Sequence, residues 1–140
     1  VGLLNVIRFG PMAEEIMKAS IPLYLVEKRP YLFLRVWQIP LCLAGSGLAF
    51  AVIENFIYFN IYLSDPSPEL IYWRWTVCVG LHMGCSVIAG LGVMRMWNYT
   101  QKNLLKAPVS LAAGSLALAV LVHGAYNAFA TVFEMWGGGF

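Results

Sequence analysis

Apolar residues run almost unbroken from about Leu41 to Leu63, from about Trp73 to Trp97 and from about Pro108 to Trp136. Each run can carry an α-helix across a hydrocarbon core, which takes roughly 20 residues. Pro40 precedes the first run, and Ser64-Asp65-Pro66-Ser67-Pro68 follows it as a turn cluster. Tyr72, Trp73 and Trp75 stand at one end of the second run and Trp97 and Tyr99 at the other, where amphipathic rings meet the two membrane interfaces. A further segment, about Leu3 to Val26, carries Arg8, Glu14, Glu15 and Lys18 with Pro11 and Pro22. It reads as a kinked or partly re-entrant helix shielded by the others. The pattern predicts an all-α fold, a polytopic transmembrane bundle of about four helices.

Composition agrees: the chain is 60% hydrophobic and 11% charged, against roughly 45–50% and 25% for soluble domains. Its 140 residues have room for about four spans and no separate soluble domain. Residues 1–140 are therefore expected to form a single membrane-embedded domain, a fragment with further helices upstream of Val1. The formal charge of +2 is too small and too scattered for nucleic acid. Lys28, Arg29 and Arg35 follow the first segment and Arg95, Lys102 and Lys106 occupy the third loop, whereas the second loop holds Arg74 alone beside Asp65 and Glu69. The positive-inside bias makes loops 28–40 and 95–107 cytoplasmic in a cell-membrane protein. Cys42, Cys78 and Cys85 lie in apolar stretches, and an odd number without Cys-x-x-Cys spacing gives no disulfide framework.

Against this apolar background, Glu14, Glu15, Glu54, His82 and His123 are out of place. A charge at mid-helix costs about 2.5–3.5 kcal/mol even on insertion scales, so such groups face one another or a wet cavity. At 1.5 Å per residue from the basic end of each helix, Glu54, His82 and His123 lie roughly 20 Å up, and Glu14 and Glu15 roughly 18–20 Å up. Helices of alternating direction thus deliver their ionisable groups to one layer, nearer the outer face. The small residues Gly80, Gly84 and Gly90, and Gly45, Ser46, Gly47 and Ala49, are read as helix-packing positions.

Glu14 and Glu15 both stand within one turn of Lys18, so one carboxylate can hold the ammonium while the other faces the cavity as a base. Glu54 shares a helix face with Tyr58, next to Asn55, and His123 shares one with Asn127. Glu54, His82 and His123 make a ligand set of the kind catalytic zinc uses. Metal-free chemistry suits the same groups, with Glu14 or Glu15 and a histidine activating water and the second histidine with Asn127 stabilising an oxyanion. Cys78, His82 and Cys85 are a lesser metal-site candidate on one helix.

The ordered string Glu14-Glu15-x-x-Lys18, Glu54-Asn55-x-x-Tyr58, His82 in a glycine-containing helix and His123-Gly-x-Tyr-Asn127 resembles the PrsW family of membrane-embedded proteases. That family is similar in turn to the CAAX prenyl protease and bacteriocin-immunity superfamily. The CAAX branch's Phe-x-x-x-His pattern is absent, since Cys78 stands four before His82. The resemblance implies a peptidase that clips a membrane-anchored protein, anti-sigma-factor-like in the founding case. It implies Glu14, Glu15, Glu54, His82 and His123 as catalytic, with Lys18, Asn55, Tyr58 and Asn127 in support, and a metalloprotease label pointing to zinc. Two other classes fit the same layer: a non-catalytic membrane scaffold, which would keep it dry and fully paired, and an ion or proton pathway, which would run polar groups to both faces.

Overall fold

The computed structural model describes residues 9–136, so the start of the expected first segment (3–8) and the Gly137-Gly138-Gly139 tail lie outside the described residues. Within that range the elements are helical: α1 (Gly10–Lys28), α2 (Gln38–Ile57), α3 (Pro68–Trp73), α4 (Val79–Asn103) and α5 (Ser110–Met135). A π-helical turn, Tyr58–Tyr62, extends α2, and a second, Arg74–Cys78, joins α3 to α4. Three stretches are long and apolar enough to cross a membrane: Gln38–Tyr62, Pro68–Asn103 and Ser110–Phe133. The protein is an integral membrane protein, and the expectation of a helical transmembrane bundle holds.

The second span starts earlier than the apolar run did. Ser67, in the apparent turn cluster, accepts a hydrogen bond from the Leu70 amide at 3.1 Å, and Pro68 and Glu69 occupy the first turn. Proline there sacrifices no bond and the acidic residue complements the helix dipole. The helix therefore begins at Pro68, and Arg74, read from sequence as a loop charge, falls inside it.

α1 does not qualify as a span by composition, yet it packs against α4, α5 and α2. Its buried positions, Pro11, Glu15, Lys18, Pro22 and Val26, recur every three or four residues, while Ile16, Met17, Ile21 and Tyr24 are exposed. This polarity is the inverse of a soluble helix: charge inside, apolar surface outside. An apolar exterior suits lipid, and the buried charges must be answered by neighbouring helices.

α4 is the centre of the bundle, packed between α2 and α5. Towards the basic end the core is apolar, with Ile39, Leu43, Val93 and Met96 almost fully buried. There Trp97 donates its indole N–H to the Pro30 carbonyl at 2.9 Å, and Glu27 pairs with Lys106 at 2.8 Å. Close helix approach occurs at Gly47, where a methyl would sit 2.5 Å from Ser86 Oγ and 2.7 Å from the His82 carbonyl oxygen. Of the glycines read from sequence as packing positions, Gly47 and Gly90, where a methyl would sit 2.9 Å from Pro40 Cα, meet a neighbouring helix, whereas Gly45, Gly80 and Gly84 are corrected: a methyl at any of them meets nothing within 4 Å. Glycine spacing marks a helix face, but the helix's rotation decides whether that face meets a neighbour.

Candidate active site

Above the apolar core, α1, α2, α4 and α5 each contribute ionisable side chains to one cluster. Glu15 and His123 are buried at 0% and 2% exposure, and Lys18 and His82 at 2% and 3%. Lys18 pairs with Glu15 one turn away on α1, and the same carboxylate oxygen lies 2.8 Å from His123 Nδ1. An ion-paired carboxylate accepts, so Nδ1 carries the proton and His123 Nε2 is left with its lone pair. That nitrogen faces Glu14 Oε2 at 3.6 Å.

His82 is held in the same manner. Its Nε2 lies 3.0 Å from Glu54 Oε2, which also accepts from Arg74 Nη2 at 3.1 Å. Its Nδ1 lies 3.1 Å from Lys18 Nζ, and an ammonium can only donate. Both contacts assign the proton to Nε2 and the lone pair to Nδ1, which stands 4.0 Å from Glu14 Oε2. The imidazoles meet edge to face, their centroids 5.0 Å apart.

Glu14 is where these vectors converge. Its Oε2 is buried and has no hydrogen-bond partner. One ligand atom each from Glu14, His82 and His123 can lie within 4.8 Å of one another. Three lone-pair atoms thus face a common point, each histidine backed by a carboxylate, an arrangement suited to a divalent metal with oriented ligands. The layer also holds three carboxylates against the two fixed cations Lys18 and Arg74, leaving one negative charge for a cation or a proton to offset. The donor set therefore fits a metal once the Lys18 ammonium, 3.1 Å from His82 Nδ1, gives up that lone pair.

The cluster borders a cavity of about 410 Å³. Glu14, Glu54, His82, His123 and Asn127 line it, and Leu63 and Leu70, flanking the loop between α2 and α3, line its upper part. The cavity therefore reaches from the polar layer to the acidic-loop end of the bundle.

All five residues read as catalytic from sequence meet here, but their groupings differ from expectation. The sequence put Glu54 with the histidines as metal ligands; the geometry puts Glu14 there, because Glu54 is engaged by Arg74 and by the far side of His82. Asn55 lies away from the cavity lining: its Oδ1 accepts from Arg74 Nε at 3.0 Å and its Nδ2 donates to the Arg74 carbonyl at 3.3 Å. Tyr58 stacks beneath the Arg74 guanidinium, 3.5 Å from its ring centre. The cysteine site does not form, since Cys85 packs with Ala89 and Ala119, and the Cys78 thiol is 3.4 Å from the Tyr126 hydroxyl. Arg74 is the site residue that sequence reading missed. The available signal was the capped helix start at Ser67, which turns a loop arginine into a helical one.

The family described as PrsW family intramembrane metalloprotease matches residues 2–139. No curated protein and no solved structure matches the chain. With a match over nearly its whole length, and a helical membrane bundle enclosing an acidic and imidazole layer, this chain belongs to the PrsW family of intramembrane proteases.

Proposed function

We propose that the protein hydrolyses a peptide bond of a membrane-anchored protein, with Glu14 as the base that activates water. The observation carrying this reading is the buried, unpartnered Glu14 Oε2, faced by two imidazole lone pairs beside a cavity. A scaffold has no use for an orphaned carboxylate oxygen, which costs free energy in a dry interior. A proton pathway needs polar groups to both faces, and below the layer the core is apolar.

Glu14 takes the proton of water as the water adds to the scissile carbonyl. His123 Nε2, 3.6 Å away, receives that proton and passes it to the departing amine, while Glu15 stabilises the transient imidazolium through Nδ1. Asn127, one turn beyond His123 on α5 and lining the cavity, supplies an N–H for the carbonyl oxygen as it gains charge. In a metal-dependent form this relay would be replaced: Glu14, His82 and His123 would hold a divalent metal, zinc by its ligand chemistry, which would supply Lewis-acid polarisation there. Loop charge supports an orientation with the basic loops in the cytoplasm and the cavity towards the outer face, where an anti-sigma-factor-like substrate would present its cleavage site.

The test is incubation of the purified protein in micelles with a membrane-anchored reporter, with and without chelator, for the wild type and Glu14→Gln. Cleavage by the wild type and loss in Glu14→Gln is the expected result; equal cleavage by both sinks the assignment. Loss on chelation and return with added zinc identifies the metal-dependent form, and insensitivity to chelator identifies the glutamate-type form.

A further inference from the structure

Arg74 touches none of the three converging atoms, yet three side chains of α2 and its π-helical extension are devoted to it. Glu54 accepts from Nη2, Asn55 accepts from Nε, and the guanidinium carbon lies over the Tyr58 ring, 3.5 Å from its centre. Asn55 also donates to the Arg74 backbone carbonyl, so both the main chain and the side chain of this residue are fixed. Arg74 opens one π-helical turn and Tyr58 opens the other, on the two sides of the loop above the cavity. Such turns re-aim side chains and recur at functional sites.

We propose that Arg74 is a positioning residue: seated in a receptacle formed by Glu54, Asn55 and Tyr58, it holds the Glu54 carboxylate against His82 Nε2–H and so aims His82 Nδ1 at Glu14. The proposal rests on the reading of Glu14, His82 and His123 as the reacting groups. The sequence motif Glu54-Asn55-x-x-Tyr58 then seats a guanidinium from another helix while its Glu54 backs His82. Glutamate has three rotatable bonds, and at the edge of a cavity it would otherwise divide its time between His82 and water. The planar fork of arginine, bonding two acceptors at once while stacking on a ring, removes that freedom. Lysine, a point charge without a plane, cannot. Partners behind a catalytic histidine of this kind are typically worth about 10–100-fold in activity or metal affinity.

The test uses the full chain in micelles, labelled with ring-¹⁵N histidine; the sequence has two histidines, so two imidazoles are resolved. In the wild type the His82 Nε2–H should exchange slowly with water. In Arg74→Gln it should exchange at least about tenfold faster, with His123 unchanged, and kcat on the reporter should fall about 10–100-fold at nearly constant KM. Arg74→Lys should recover only part of both readouts. Asn55→Ala, which keeps the arginine and removes one of its acceptors, should fall between wild type and Arg74→Gln. Should Arg74→Gln fail to fold, the lysine and Asn55 variants carry the test. Slow His82 exchange and full kcat in these variants would overturn the proposal, because an arginine that only ties α3 to α2 would lower stability and leave both readouts alone. If His82 responds as described in a protein whose wild type cleaves nothing, the positioning role stands and the peptidase reading falls.

Discussion

Glu14 and Glu15 are chemically identical neighbours, and substituting each by glutamine should have opposite consequences. Glu15 is fully buried and answers both Lys18 and His123. Glu15→Gln leaves the Lys18 ammonium, 2% exposed, without its counter-charge. Removing one partner of a buried pair costs about 3–5 kcal/mol, a large share of the roughly 5–15 kcal/mol that holds a domain folded. For a chain of this size that corresponds to a drop in Tm on the order of 10 °C. Glu14, with its side chain 22% exposed, faces two imidazoles across 3.6 and 4.0 Å and holds neither lysine nor arginine in a hydrogen bond. Glu14→Gln should therefore cost no more than about 1 kcal/mol, while loss of a general base lowers kcat by about 10²–10⁴-fold. Thermal unfolding in micelles reads the first quantity and reporter cleavage the second. Equal losses of stability in the two variants would refute the division of labour between the adjacent carboxylates. So would a stable Glu15→Gln beside an unfolded Glu14→Gln.

Gly47→Ala forces a methyl against Ser86 and the His82 carbonyl, so α2 must move off α4; the expected cost is about 1–3 kcal/mol, whereas Gly45→Ala, with nothing within 4 Å, should leave thermal stability unchanged. Asn127→Ala should lower kcat about 10²–10³-fold, as removal of an oxyanion donor does; unchanged turnover would remove Asn127 from the reacting groups. A cysteine in place of Ser64 should react with a membrane-impermeant maleimide added to intact cells, and one in place of Lys106 only after permeabilisation. The reverse pattern would invert the orientation drawn from loop charge.

The sequence by itself determined that this chain lives in a bilayer, because apolar runs of spanning length admit no other solvent. It also determined that its carboxylates and imidazoles share a depth, because helical rise converts residue number directly into height. The ordered motifs carried the family. Tertiary structure alone decided that Glu14 stands between both histidines while Glu15 backs His123 and pairs with Lys18, which glycines meet a neighbouring helix, and that Glu54, Asn55 and Tyr58 seat Arg74. The reason is geometric: spacing along a helix fixes relative phase and height, but the rotation of each helix about its own axis is set by the packing of its neighbours. Glu14 and Glu15 differ by about 100° of that rotation, enough to make one the lock of the bundle and the other its open acceptor.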